Sequence, residues 1–147
     1  FKTLHLTVAR AGHPYPLVFR ANGPIELLRP QGAMLGVFQD ERFELTSLQL
    51  HDGDRVLFYT DGFEMVFPKP DPGNERGTDA PYSYVEIFKD LGAGTIAGAM
   101  QGLTSRLNRQ VGSLNQSDDL TALLVGMPTN AIPGESKSIP QVASAVR

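Results

Sequence analysis

Two short acidic segments stand at the ends of apolar runs. Thr60-Asp61-Gly62 closes the run RVLFYT at residues 55–60, and Ser117-Asp118-Asp119 comes immediately before LTALLVGM at residues 120–127. The end of a strand is where a sheet can aim a polar group into a cleft. If the two runs are neighbouring strands, Asp61 and Asp118 converge. Two carboxylates about 4 Å apart repel by roughly 4 kcal/mol at an effective dielectric of about 20, so such a cluster needs a proton or a cation. Hard oxygen ligands favour Mg²⁺ or Mn²⁺, ions that hold a water, lower its pKa and neutralise charge on a phosphoryl group. On spacing alone the plainer alternative is the stronger one: Asp61-Gly62 is a turn, and Asp118 caps or solvates a strand start.

The elements that must position these acids can be read from the hydrophobic pattern. Residues 3–8 (TLHLTV), 15–21 (YPLVFRA) and 25–28 (IELL) read as strands, separated by Ala11-Gly12-His13-Pro14 and Asn22-Gly23-Pro24. Phe43, Leu45, Leu48 and Leu50 mark a further strand whose alternation shifts partway, which predicts a bulge near Thr46-Ser47. Residues 55–60 carry apolar or aromatic side chains on both faces, the pattern of a strand between two covered layers. Residues 68–82, rich in Pro, Gly and charge, read as a mobile surface loop.

Two helices follow. Residues 83–91 would turn Val85, Phe88 and Leu91 inward, with Ser83 and Glu86 as a capping box. Residues 95–111 would bury Ile96, Met100, Leu103, Leu107 and Val111, whose spacing outweighs a cost of about 1 kcal/mol for each of Gly98 and Gly102. Residues 120–127 form a last buried strand, and 128–147 lack a sustained apolar period and read as a tail or linker. Strands first, then helices, then a strand, give an α+β layer protein rather than βαβ units.

Composition narrows the function classes. The 147 residues are 41% hydrophobic and 20% charged, enough for one core, and the net charge of −3 with scattered Lys and Arg argues against nucleic acid as a partner. With no Cys there is no disulfide framework, thiolate site or Cys nucleophile, and a cytoplasmic location is the default. No apolar run of about eighteen residues and no signal sequence points to a membrane.

A set of signatures in order changes the weight given to the two acids: A-G-H-P at 11–14, L-G at 35–36, L-x-x-G-D at 50–54, Y-T-D-G at 59–62 with Glu64, and D-D-L-T at 118–121. Together they resemble the SpoIIE and RsbU phosphatases of the PPM, or PP2C-like, family over residues 3–127. The resemblance implies an α-β-β-α sandwich of two antiparallel sheets with flanking helices, and Mg²⁺ or Mn²⁺ in a cleft at one edge. It implies metal-assisted hydrolysis of phosphoserine or phosphothreonine. By motif matching, Asp61 and Asp118 fall on metal-ligand positions. Gly62 and Asp119, which stands where many eukaryotic relatives carry Asn, belong beside them. His13 is assigned a structural role in the turn by the cleft, since A-G-H is not the family's metal-bridging segment. Arg10 stands where relatives commonly have Asn. Glu64 is assigned to ordering the turn after Asp61, and Asp52 and Asp54 to a turn before a strand.

The resemblance also implies a further acidic ligand and a bridging Asp-Gly motif ahead of these residues. The only other Asp-Gly pair, Asp52-Gly53, lies in the wrong order for that role. Residues 1–127 are therefore expected to be the C-terminal part of a PP2C-like domain, incomplete at its N-terminal side and inactive by itself. Its opening, a strand with no initiator Met, is expected to be cut from something longer. The implied setting is a response regulator of the RssB type, with an upstream sensor or receiver domain and a phosphorylated regulatory protein such as an anti-sigma-factor antagonist as substrate. The alternative is a catalytically silent module that binds a partner protein. Unpaired strand edges point to homo-oligomers.

Overall fold

β-Branched, leucine and aromatic residues in short runs, each bounded by Gly, Pro or Asp turns, produce a strand-rich chain. The computed structural model describes residues 3–63, 88–110, 119–127 and 141–146. Strands β1 (Leu4–Ala9) and β4 (Leu45–Leu50) form an antiparallel two-stranded sheet. Strands β2 (Leu17–Phe19), β3 (Ile25–Leu27), β5 (Arg55–Tyr59), β6 (Thr121–Gly126) and β7 (Gln141–Val146) form an antiparallel five-stranded sheet in the order β3-β2-β5-β6-β7. Phe88 leads into a 3-10 turn, Lys89–Gly92, and α1 spans Ile96–Gln110. The α+β class and the two antiparallel sheets agree with the sequence reading.

The layers follow from side-chain alternation. Val18, Val56, Phe58 and Met127 on one face of the large sheet pack with Leu4, Leu6, Leu48 and Leu50 of the small one. Leu17, Leu57, Tyr59 and Leu124 on the opposite face pack under Ile96, Met100, Leu103 and Leu107 of α1. Strand β5 is thus covered on both sides, and Val56 and Leu57 have no exposed surface; burial of each stabilises the fold by about 1.5–3 kcal/mol. Helix α1 starts where Thr95 Oγ1 accepts the Gly98 amide at 3.0 Å, an N-cap that satisfies one of the orphan donors of the first turn.

Three expectations meet the structure differently. The bulge near Thr46-Ser47 is absent: β4 pairs with β1 without interruption from Ala9↔Leu45 to Leu4↔Leu50. Phe43 precedes the strand, in a segment whose Glu44 amide bonds Gln31 O at 3.0 Å, so the change of alternation is a loop joining a strand. Within 128–147, read as tail or linker, Gln141–Val146 is a strand in full register with β6. Its main chain satisfies the free edge of β6, a contact that needs no large side chain and leaves no apolar period to read. Of the helix expected at 83–91, residues 83–87 lie outside the described residues, as do Val111, Glu64 and the loop 68–82. Among the described residues no helix is long and apolar enough to cross a membrane.

Candidate metal centre

Antiparallel registers decide which loops share a sheet end. Leu17 pairs with Leu57 and Tyr59 with Ala122, so the segment before β2, the residues after β5 and those before β6 all emerge at one end. That end holds the Ala11-Gly12-His13-Pro14 turn, Thr60-Asp61-Gly62 and Asp119-Leu120.

The two acidic segments touch through their backbones. A Cβ on Gly62 would lie 2.6 Å from the carbonyl oxygen of Asp119 and 3.0 Å from Leu120 Cδ2, so glycine is required for this approach. Beside it, the Thr60 amide donates to Thr121 O at 3.1 Å, Thr60 Oγ1 donates to Asp119 O at 3.0 Å, and the Thr121 amide donates to Thr60 Oγ1 at 3.0 Å. Phe63, fully buried against Tyr59 and Phe88, anchors the chain just after the turn. Asp61 and Asp119 are both exposed on this rim. Asp118 lies outside the described residues.

His13 is exposed in the neighbouring turn, and its backbone carbonyl accepts Arg10 Nε. Arg10 also donates to Gly32 O at 3.2 Å and lies 4.4 Å over the Tyr15 ring, tying the turn to the β3–β4 loop. That loop exposes Met34, Leu35, Val37 and Phe38.

Two buried ionic residues escaped the sequence reading. Asp54, read as a turn residue, is 4% exposed and accepts the Ala21 and His51 amides and Arg20 Nη1. Burial pushes its carboxyl up, but these hydrogen bonds and the Arg20 charge outweigh it and leave the pKa below its ordinary value. Arg55, 5% exposed, donates to the Leu91, Ala93 and Gly94 carbonyls and so ties β5 to the approach to α1; burial lowers its pKa. Both belong to the end of β5 opposite Asp61, and they hold the frame rather than the acids. A lone Arg opening an apolar strand was the available signal.

The donor chemistry of the rim suits a hard divalent cation, because carboxylates are carried on two segments held in backbone contact. Among the described residues no group of three acids or histidines forms a complete ligand set.

Comparison with known proteins assigns the framework. The family described as Stage II sporulation protein E (SpoIIE) matches residues 1–128, so the domain is of the PPM phosphatase type. The chain belongs to the SpoIIE family. Phosphoserine phosphatase RsbP of Bacillus subtilis (strain 168) is 30% identical over 115 residues, 78% of this chain; the chain spans 26% of that relative's length. No solved structure matches.

Proposed function

We propose that the protein is a metal-dependent serine/threonine protein phosphatase of bacterial signalling, with Asp61 and Asp118 as ligands of Mg²⁺ or Mn²⁺. The observation that carries this reading is the contact between the two acidic segments, in which Gly62 meets Asp119 O. When bound, the cation activates water and neutralises charge on the phosphoryl group. Asp119 stands beside the ligands and Gly62 lets their segments meet. The name of the relative, a phosphoserine phosphatase, supports the substrate class. In this reading the substrate is a phosphorylated regulatory protein such as an anti-sigma-factor antagonist, the whole protein carries a sensor or receiver domain, and it acts in the cytoplasm.

A second reading, a silent PP2C-like module that binds a partner, is favoured by Arg10, whose contacts to His13 O and Gly32 O commit it to holding the turn where relatives commonly carry Asn. Incubating the whole protein with Mn²⁺ and a phosphoserine-bearing protein separates the two. Metal-dependent phosphate release, lost in Asp61→Asn, is expected; no release at millimolar Mn²⁺ would favour the silent module.

A further inference from the structure

The ladder between β5 and β6 ends in an exchange of partners. Thr60 and Thr121 stand opposite each other in the register continued from Tyr59↔Ala122. In a regular antiparallel pair of this kind the two residues exchange both main-chain hydrogen bonds. Half of that exchange is present, since the Thr60 amide reaches Thr121 O. The other half is replaced: the Thr121 amide is accepted by Thr60 Oγ1, while Thr60 O accepts the Phe63 amide at 3.4 Å. The hydroxyl has taken the place of its own residue's carbonyl. That frees the carbonyl to start the turn carrying Asp61 and Gly62.

The same hydroxyl has one proton to give, and it goes to Asp119 O. This is the oxygen that Gly62 approaches so closely that a Cβ could not be fitted. One side-chain atom therefore closes the end of the ladder, permits the turn after β5 and fixes the segment leading into β6. We propose that Thr60 is a positioning residue for the metal site: its hydroxyl staples the segment carrying Asp61 to the backbone of Asp119 and so sets how closely the two acidic segments approach. The proposal rests on the reading of Asp61 and Asp118 as ligands.

The chemistry needed is an atom that accepts one hydrogen bond and donates another. Serine meets that requirement. Valine, of nearly the same shape, does neither, so it leaves the Thr121 amide and Asp119 O without these partners while keeping the packing. Residues that orient metal ligands typically cost about 10–100-fold in metal affinity or activity when removed.

The test compares wild type, Thr60→Val, Thr60→Ser and Asp61→Asn in the whole protein, following amide exchange at Thr121, Mn²⁺ affinity by electron paramagnetic resonance of the free ion, and phosphate release. Thr60→Val is expected to speed Thr121 exchange and to weaken Mn²⁺ affinity by about tenfold or more, with activity recovering as Mn²⁺ saturates; Thr60→Ser restores both. A merely structural role would lower the melting temperature and leave affinity alone, which overturns the proposal. Wild-type affinity in Thr60→Val beside lost affinity in Asp61→Asn also overturns it, and leaves the ligand reading standing. Unchanged affinity in Asp61→Asn removes the ligand reading, and the positioning role falls with it. Should Thr60→Val yield no folded protein, wild-type exchange decides: a Thr121 amide as open as an unfolded chain overturns the staple, and one protected like the other β6 amides supports it.

Discussion

Gly62 and the carbonyl oxygen of Asp119 approach so closely that the Cβ of an alanine would stand 2.6 Å from that oxygen. The obstacle is backbone and cannot swing aside as a side-chain tip would, so a methyl group at residue 62 must move one acidic segment away from the other. Gly62→Ala is expected to destabilise by about 1–3 kcal/mol, the usual cost of overpacking. Misplacement of reacting groups by about 1 Å can cost on the order of a hundredfold, so metal-dependent phosphate release by the whole protein should fall by at least about tenfold. Urea unfolding and phosphate release measure the two effects. Wild-type activity in the variant would show that the contact has no part in the site.

The two helical glycines of α1 should respond differently to alanine. Nothing lies within 4 Å of a Cβ on Gly102, whereas one on Gly98 would stand 3.0 Å from Thr95 Oγ1, the hydroxyl that caps the helix. Gly102→Ala is expected to stabilise by about 0.5–1 kcal/mol, seen as a rise of a few degrees in Tm. Gly98→Ala should gain less, because the added methyl crowds the cap. Thermal unfolding followed by circular dichroism checks both, and a lower Tm for Gly102→Ala would contradict the argument.

How much of this was legible before the structure depends on how far apart the cooperating residues lie. Strand β5 and helix α1 were readable because their signals are local: apolar residues on both faces of 55–59, and three-to-four spacing from Ile96 to Leu107. Asp61 and Asp119 could be singled out by their places at strand ends and by family signatures. Thr60 could not, since its role depends on Thr121 and Asp119, about sixty residues away in the chain. Asp54 and Arg55 were hidden for the same reason, their partners being Arg20 and Ala21 for the first and Leu91 to Gly94 for the second. Strand β7 escaped because main-chain pairing with β6 imposes no apolar rhythm on QVASAV.

The β3–β4 loop presents Met34, Leu35, Val37 and Phe38 with 57–74% of each side chain's residue surface exposed. Large apolar residues this close together on a surface favour association. The chain is expected to form dimers or larger assemblies in a concentration-dependent way, and Leu35→Ser combined with Phe38→Ser should shift the distribution toward monomer. Light scattering across a dilution series reads this directly. A wild-type chain that stays monomeric at high concentration would refute it.

Asp54 supplies the last prediction, on acid stability. Its carboxylate takes the Ala21 amide at 2.9 Å, the His51 amide at 3.1 Å and Arg20 Nη1 at 3.0 Å, with His51 Nδ1 3.6 Å away and Glu26 paired to the far side of Arg20. Burial opposes ionisation, yet the pKa ends below its ordinary value because these donors outweigh it. A carboxyl depressed in the folded state contributes stability above its unfolded pKa of about 3.9, and that contribution is lost as pH falls through the folded value. Asp54→Asn turns an amide N–H toward donors that need an acceptor, so at pH 7 it is expected to cost about 2–4 kcal/mol. The gap between wild type and variant should hold between about pH 5 and 7 and narrow below about pH 4, where the carboxyl of the unfolded chain takes up its proton while the folded one still resists it. Urea unfolding of both proteins at pH 7 and pH 3 measures the gap. A gap equally wide at pH 3 would mean that Asp54 acts through shape rather than charge, and the electrostatic account would have to be abandoned.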